Sequence, residues 1–234
     1  MITVITADDQ ALVRGGLKMI LEAQPDIDVI AEAADGIEAV QLATQHRPDV
    51  VLMDIRMPRL DGIEATRRLI AAVPGTRIVI LTTFGLDRYV YDGLRAGASG
   101  FVLKDSPPSG LVHAVRTVAS GDVLLSPAIT AKLIATYVQQ PPDAEYRSER
   151  MQTLSPREVE VLRLVVDGKS NSEVAAALFL TEYTVKTHMT RILQKLELRD
   201  RVQAVVYAYE SGFIRPGREG PRTCRIGNPL RLLI

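Results

Sequence analysis

The stretch Val50-Val51-Leu52-Met53-Asp54-Ile55-Arg56-Met57-Pro58 decides the fold that we predict. Four consecutive apolar residues are followed at once by a carboxylate. An apolar run without polar alternation is typical of a strand that is buried on both faces of a parallel sheet. The stretch therefore predicts a buried strand that brings Asp54 to its carboxyl end.

Similar apolar runs lie on both sides of this strand and alternate with stretches whose apolar residues recur at helical spacing. The other strand candidates are residues 2–5, 29–31, 78–81 and 101–103, and helical spacing is clear in residues 13–21 and 111–119. Five strands alternating with five helices predict an α/β fold, namely a five-stranded, doubly wound parallel sheet. Ligands of such sheets bind at the carboxyl ends of the strands.

The last third of the chain has an all-helical pattern. Ser155-Pro156-Arg157-Glu158 is a capping box with proline at the first helical position, so a helix begins there and Gly168 ends it. The further expected helices are a short one from Ser172, a longer one capped by Thr181 and running through Lys195, and a last one over 201–210 ended by Gly212. The helix, turn and helix between 172 and 195 have the length of a helix-turn-helix.

These patterns divide the chain into four parts. We expect a sheet domain over 1–125, a linker over 126–152 that includes a helix at 126–139, a helix-turn-helix domain over 153–215, and a disordered tail rich in Gly, Pro and Arg over 216–234.

Composition excludes several classes of protein. The 234 residues are 24% charged and 47% hydrophobic, as in ordinary globular proteins. No apolar stretch approaches the roughly 18 residues of a membrane span, and no signal-peptide pattern is present, so we expect a cytoplasmic protein without a membrane partner. The single cysteine, Cys224, excludes an intrachain disulfide, and three scattered histidines form no metal-binding spacing.

The net charge of zero hides an asymmetry between the two halves. Residues 1–125 carry 12 Lys and Arg against 16 Asp and Glu, whereas residues 151–234 carry 13 against 9. The acidic half suits a divalent metal ion, and the basic half suits a polyanion such as DNA.

Carboxylate, hydroxyl and ammonium side chains lie together at one edge of the predicted sheet. Asp8 and Asp9 follow the first strand, Asp54 the third, Thr82 ends the fourth and Lys104 the fifth. Carboxylates that share a small cleft repel one another unless a cation lies among them, and an oxygen-only site suits Mg²⁺. Taken singly, these residues have structural alternatives: an N-cap for Asp8 or Asp9, a strand position for Thr82 and a solvated cation for Lys104.

In these features residues 1–120 resemble the receiver domains of two-component response regulators. The motifs are Asp8-Asp9, Asp54 within 53–58 with Asp61-Gly62 following, Thr82-Thr83, and residues 97–104, Gly-Ala-Ser-Gly-Phe-Val-Leu-Lys. The resemblance implies that the sheet is of the flavodoxin-like type. It also implies that a sensor histidine kinase phosphorylates one of these carboxylates with the help of Mg²⁺.

The resemblance also assigns roles. Asp54 is implied to be the phosphoacceptor, Asp8, Asp9, Asp54 and the Arg56 backbone carbonyl to hold Mg²⁺, and Lys104 to pair with the phosphoryl group. A carboxylate can attack phosphorus in line while cations offset charge on the equatorial oxygens.

Thr82 and Phe101 are implied to form the conformational switch. Phe101 stands where some relatives have a hydroxylated aromatic residue, so ring burial is retained and a hydroxyl contact is lost. Plain core packing is the alternative role for Phe101.

The longer helix of the second domain has two distinct faces. Its apolar stripe consists of Val185, Met189, Ile192 and Leu196, and its polar face consists of Tyr183, Lys186, Thr187, Thr190, Arg191 and Gln194. The polar side chains can donate hydrogen bonds to phosphates or base edges, as in a recognition helix. A solvated amphipathic helix would show the same pattern.

Residues 153–213 resemble the LuxR-type output domain of the NarL/FixJ subfamily of response regulators. The motifs are residues 154–162, residues 171–175 and Thr184-Val185-Lys186-Thr187-His188, together with Ile192 and Lys195-Leu196. The resemblance implies that Lys186, Thr187 and Thr190 face the major groove of double-stranded DNA, and that Thr184, His188 and Arg191 lie near phosphates. His188 has the alternative role of a partly buried packing residue.

The resemblance further implies that the last helix pairs two output domains. We therefore expect a homodimer when the protein is phosphorylated, bound to two half-sites.

These features together predict a transcriptional regulator switched by phosphorylation and not an enzyme. Two alternatives remain at this level. A phosphohydrolase with an aspartyl-phosphate intermediate would use the same nucleophile and metal, but the haloacid dehalogenase type places a general acid where this chain has Arg56. A constitutive DNA-binding protein would use the first domain without phosphorylation.

Overall fold

The structure is a computed structural model and describes residues 1–82, 87–121 and 150–213. Its N-terminal part contains one parallel sheet with the strand order β2-β1-β3-β4-β5. The strands are β1 (Ile2–Ala7), β2 (Ile27–Ala33), β3 (Val50–Asp54), β4 (Arg77–Thr82) and β5 (Gly100–Leu103). The predicted five-stranded flavodoxin-like sheet is confirmed, with strand ends that extend a few residues past the apolar runs.

Five helices connect and cover the strands. They are α1 (Ala11–Glu22), α2 (Gly36–His46), α3 (Gly62–Ala72), α4 (Asp87–Ala96) and α5 (Pro108–Ala119). The N-terminus of α2 is fixed by Asp35, whose side chain accepts from the backbone N–H groups of residues 37 and 38, and α3 is capped in the same way by Asp61.

The sheet has a hydrophobic core on each face, and β3 is buried throughout. Its alternate residues therefore serve both cores: Val51 and Met53 pack on one face, while Val50 and Leu52 pack on the other. This two-sided burial explains why the central strand has no polar alternation.

The C-terminal part is a bundle of four helices, α6 (Pro156–Val166), α7 (Asn171–Leu178), α8 (Glu182–Leu196) and α9 (Arg201–Glu210). The capping box at Ser155, the Thr181 cap and the bounds of the last helix are confirmed. The start of the short helix was placed wrongly at Ser172. Ser170 is its N-cap, because its hydroxyl and the Glu173 carboxylate form a second capping box.

The two parts are in contact in this structure. Helix α9 packs against α6 and α8 and also against α4. Within the described ranges, no helix is long and apolar enough to cross a membrane. The helix expected at 126–139, most of the linker and the tail over 216–234 lie outside the described residues.

Candidate functional site

Three carboxylates converge at the carboxyl edge of the sheet. Asp8 follows β1 and Asp54 ends β3, and ligand oxygens from Asp8, Asp9 and Asp54 all lie within 4.8 Å of one another. Asp8 and Asp54 are buried, whereas Asp9 is exposed, so the cluster opens to solvent on one side. The predicted convergence of these residues at one rim is thus confirmed.

Lys104 joins two of these carboxylates. Its ammonium lies 2.6 Å from Asp8 Oδ2 and 2.9 Å from Asp54 Oδ1. Lys104 directly follows β5, and its backbone N–H donates to the Thr82 carbonyl at the end of β4, which fixes its position at the rim. Lys104 is therefore a half-buried, ion-paired partner of the cluster and not the solvated cation of the alternative interpretation.

Burial and neighbouring charges shift the pKa values of Asp54 and Lys104. Desolvation raises the pKa of Asp54, and the negative charge of Asp8 acts in the same direction, against the opposing effect of Lys104. Burial alone would lower the pKa of Lys104, but hydrogen bonds and charge from Asp8 and Asp54 outweigh it and raise that pKa. One ammonium balances only one of three carboxylates, so the cluster keeps an excess of negative charge.

Asp8 also accepts a hydrogen bond from the backbone at the start of α1. Its Oδ1 accepts the backbone N–H of Gln10, the residue that occupies the N-cap position of α1. The other oxygen of the same carboxylate faces Lys104, so the structural and the site-forming roles coexist in one side chain.

Thr82 and Phe101 are both buried near the same edge. The Phe101 ring lies beneath Gly93 of α4: a Cβ built on Gly93 would be 2.9 Å from Phe101 Cζ and 2.6 Å from Ile80 Cδ1. The ring is thus part of the core and also the contact that joins β5 to α4. Arg56, two residues after Asp54, places its guanidinium 5.9 Å from the ring centre of Tyr89 on the same helix.

Helix α8 presents the two faces expected from its sequence. The four residues of the apolar stripe are buried, and the side chains of Tyr183, Lys186, Thr190, Arg191 and Gln194 are exposed. The hydroxyls of Thr187 and Thr190 donate to carbonyls one turn earlier in the helix, and Thr184 is hydrogen-bonded to Thr181.

His188 is half-buried on this helix. Its Nδ1 is inaccessible and forms no hydrogen bond among the residues that the structure describes. This placement agrees better with the packing alternative than with a direct phosphate contact.

Part of the polar face of α8 lies close to helix α5 of the N-terminal part. A cleft of about 410 Å³ lies between them, lined by His113 and Thr117 of α5 and by Glu182 and Lys186 of α8. A second cleft of about 240 Å³ brings Ser120 close to Thr190. Part of the candidate DNA face is therefore turned toward α5.

A polar cluster at the contact between the two parts was missed by the sequence analysis. We call it the interdomain cluster, and it consists of Arg77, Ser99, Arg199 and Asp200. The Ser99 hydroxyl donates to Asp200 Oδ2 at 3.0 Å, and Arg199 Nη2 lies 2.8 Å from Ser99 Oγ. Arg77 lies 3.6 Å from the same Asp200 oxygen. Ser99 stood within a quoted motif and Asp200 just before a helix, but nothing in the sequence signals a pairing across 101 positions.

Comparison with known proteins relates both parts to one class. The family described as "Response regulator receiver domain" matches residues 4–116, and the family described as "Bacterial regulatory proteins, luxR family" matches residues 152–208.

Similar proteins extend over nearly the whole chain. The "Uncharacterized transcriptional regulatory protein YxjL" of Bacillus subtilis is 44% identical over 214 residues, which cover 92% of this chain and 98% of that protein. The "Oxygen regulatory protein NreC" of Staphylococcus carnosus is 42% identical, covering 90% of this chain and 98% of that protein. The chain is a response regulator with a receiver domain and a LuxR-type DNA-binding domain.

A solved structure of a response regulator supports the same assignment. The crystal structure of the response regulator ChrA of a heme-sensing two-component system is 39% identical, covers 91% of this chain and 98% of that chain, and has a TM-score of 0.50. Response regulators of this kind are transcription regulators and not enzymes. Their receiver and LuxR-type domains imply a histidine kinase and DNA as partners, and receiver domains bind Mg²⁺ at an acidic site such as this aspartate cluster.

Proposed function

We propose that a sensor histidine kinase phosphorylates Asp54 and that phosphorylation switches this response regulator to a DNA-binding homodimer. The observation that carries the proposal is the rim cluster, in which Asp8, Asp9 and Asp54 lie within 4.8 Å of one another beside Lys104. The division that we propose is a receiver over 1–125, a linker over 126–152, an output domain over 153–215 and a tail over 216–234.

The chemistry is a phosphoryl transfer from nitrogen to oxygen. A carboxylate oxygen of Asp54 attacks the phosphorus of a phosphohistidine, the new O–P bond forms as the P–N bond breaks, and the imidazole leaves with the electron pair. Lys104 already lies 2.9 Å from Asp54, so its ammonium is placed to pair with the transferred group without a large movement.

The donor set fits a divalent cation. It consists of three carboxylates opposed by one ammonium, with Asp9 exposed to solvent, and we propose the Arg56 backbone carbonyl as a further ligand. When bound, Mg²⁺ would offset negative charge on the phosphoryl oxygens. Asp8, Asp9 and Asp54 would hold the ion.

Thr82 and Phe101 are the proposed switch. Thr82 ends β4 beside β5, and Phe101 of β5 packs against α4 at Gly93. A change at the phosphorylated rim can therefore reach α4 through residues in contact. Helix α4 in turn covers α9: the Gln203 amide donates to the Leu94 carbonyl at 3.0 Å, and Arg95 lies 3.5 Å from Glu210.

Dimerisation through α9 requires this contact to open. Every residue of α9 except Gln203 is buried in the present arrangement, so the helix has little surface to offer to a second copy. Separation of the receiver would also free the polar face of α8, where we propose Tyr183, Thr184, Lys186, Thr187, Thr190 and Arg191 as the DNA contacts, with His188 as a packing residue behind them.

The test is labelling with a small phosphodonor. Incubation with acetyl phosphate and Mg²⁺ should add one phosphoryl group to the wild-type protein and none to Asp54→Asn. The labelled protein should shift to a dimer in mass measurements and bind DNA more tightly. Labelling that survives in Asp54→Asn would contradict the assignment of Asp54, and steady turnover of a phosphate monoester would favour the phosphohydrolase alternative.

A further inference from the structure

Two aromatic side chains of the output domain project into solvent on either side of the helix-turn-helix turn. Phe179 is 97% exposed and Tyr183 is 81% exposed, and they are the two large hydrophobic side chains classed as exposed among the described residues from 150 to 213. Phe179 ends α7 and Tyr183 lies in the first turn of α8, so only the short Leu180-Thr181 link and Glu182 separate them.

The backbone at Phe179 is left-handed, with φ of 55°. The N–H of Leu180 bonds to the Ala175 carbonyl and the N–H of Phe179 to the Ala176 carbonyl, which together form a Schellman motif. Glycine is the usual residue at this position because a Cβ disfavours the left-handed conformation. Among the described residues, the other three non-glycine positions with positive φ carry charged side chains, at Arg47, Arg59 and Glu197.

The fold holds this unfavourable conformation from outside the turn. The Arg157 guanidinium donates to the Leu178 carbonyl at 2.6 Å, which ties the end of α7 to α6. The turn is therefore braced, yet nearly the whole Phe179 ring lies in water. A bulky residue that strains the backbone while contributing little to the core points to a use outside the chain.

We propose that Phe179 is an additional DNA-contact residue, which extends the recognition surface of α8 across the turn and packs against apolar atoms of the DNA groove. This inference rests on the proposed DNA face. Phe179 adjoins the N-terminal half of α8, where base contacts of a recognition helix concentrate, and aromatic rings make apolar contact with thymine methyl groups.

The charge balance of the C-terminal part agrees with a polyanionic partner, since residues 151–234 carry 13 Lys and Arg against 9 Asp and Glu. Lys186 lies one turn from Tyr183 and is exposed. The acidic residue Glu182 lies beside Tyr183 and, like Lys186, lines the cleft toward His113 and Thr117 of α5, so these two opposite charges lie on the same side of α8.

The experiment compares Phe179→Gly with the wild type in the full-length protein treated with acetyl phosphate and Mg²⁺. The probe is a duplex selected by the wild-type protein from a random-sequence pool. We expect Phe179→Gly to bind this duplex roughly tenfold more weakly, which corresponds to about 1.4 kcal/mol. Its unfolding midpoint should stay the same or rise, because glycine relieves the left-handed strain.

The salt dependence of binding and a matched control variant distinguish an apolar DNA contact from other causes of weaker binding. The salt dependence of binding should be unchanged in Phe179→Gly, since an apolar contact releases no counterions, whereas Lys186→Ala should lower the slope of log K against log salt by about one. Glu197→Gly is the matched control: it relieves the same backbone conformation at the end of α8 and should keep full affinity.

The outcomes separate this proposal from the proposed function. Unchanged affinity of Phe179→Gly would overturn the contact, and loss of transcription at unchanged affinity would assign the ring to a protein partner instead. A lowered unfolding midpoint would also overturn it, because the ring would then serve the fold. Failure of the wild type to select any duplex would count against the DNA-binding function itself. Replacement of thymine by deoxyuridine removes the thymine methyl groups. Binding of the wild type should weaken if Phe179 contacts a methyl group and stay the same if the ring contacts deoxyribose.

Discussion

Ser99 of the receiver domain donates a hydrogen bond to Asp200 of the output domain, with 3.0 Å between Ser99 Oγ and Asp200 Oδ2. Both residues are buried. The other oxygen of Asp200 accepts the backbone N–H of Gln203 and caps α9. One carboxylate thus begins the helix proposed for dimerisation and also fastens that helix to the receiver.

Removal of the Ser99 hydroxyl should loosen this fastening. Ser99→Ala removes both hydrogen bonds of this hydroxyl across the contact, to Asp200 and from Arg199, but keeps the cap of α9. A hydrogen bond that involves a charged group contributes about 1.5–3 kcal/mol. We expect the unphosphorylated variant to bind DNA at least tenfold more tightly than the unphosphorylated wild type, measured by fluorescence anisotropy. Thr44→Ala, which removes an exposed hydroxyl on α2, is the control. Equal affinities, together with equal radii of gyration in X-ray scattering, would show that Ser99 does not hold the domains together.

The interdomain cluster also carries a cost that favours release. Burial lowers the pKa of Arg199, and the neighbouring charge of Arg77 acts in the same direction against the attraction of Asp200. Nε of Arg199 lies 3.5 Å from Asp200 Oδ2, and Nη1 forms no hydrogen bond within the described residues. Because unsatisfied buried donors destabilise the state that contains them, the unpaired Nη1 and the desolvation of this guanidinium oppose the bonds that hold the two domains together.

Mg²⁺ should stabilise the receiver through the rim cluster. An ion present at ten times its dissociation constant adds about 1.4 kcal/mol to the free energy of unfolding. We expect the thermal midpoint of the wild type to rise when Mg²⁺ is added and to fall back with a chelator. Asp9→Asn should abolish this rise because it removes the exposed carboxylate of the cluster. Asp28→Asn, an exposed carboxylate on β2, should keep it, and an equal rise in all three proteins would mean that the ion acts elsewhere.

The receiver fold and its acidic rim could be predicted from the sequence because both follow from local patterns. The unbroken apolar run at 50–53 indicates a strand that is buried on both faces of the sheet. In a parallel sheet, the residues that follow the strands all lie at the edge where the strands have their carboxyl ends. The contact between Ser99 and Asp200 could not be predicted, since it joins positions 101 residues apart and depends on how two separately folding patterns dock. Phe179 was missed for another reason: a left-handed helix end is usually signalled by glycine, and an aromatic residue at that place gives no such signal.

Gly93 leaves no room for a larger residue at the contact between β5 and α4. A Cβ at this position would lie 2.9 Å from Phe101 and 2.6 Å from Ile80, closer than packed atoms allow. We expect Gly93→Ala to destabilise the receiver by about 1–3 kcal/mol in denaturant unfolding, as overpacked cores do. The added variant Phe101→Leu should recover part of this loss by making room. Gly16→Ala in α1, where no heavy atom of the described residues lies within 4 Å of the new Cβ, should be neutral or stabilising. Additive effects of the two core variants would contradict a direct contact between Gly93 and Phe101.

Glu158 should make the stability of the output domain depend on pH. Its Oε2 accepts the backbone N–H of Ser155 at 2.8 Å and lies 2.7 Å from Lys195 Nζ. Burial raises the pKa of this carboxyl, but the bonds from Lys195 and Ser155 outweigh burial and leave the pKa below its ordinary value. A carboxyl with a lowered pKa in the folded state adds stability above its unfolded pKa of about 4.3, and this stability is lost as the pH falls through the folded pKa.

Glu158→Gln isolates this charge, since the amide oxygen can still accept from Ser155. We expect the variant to be less stable than the wild type by about 1–2 kcal/mol at pH 7 in urea unfolding followed by circular dichroism. The difference should narrow as the pH falls below about 4, because the wild-type carboxyl then becomes protonated. Glu160→Gln, which weakens an exposed pair with Arg157, should change stability little at any pH. A difference that stays constant down to acid pH would mean that the shape of the Glu158 side chain, and not its charge, stabilises α6.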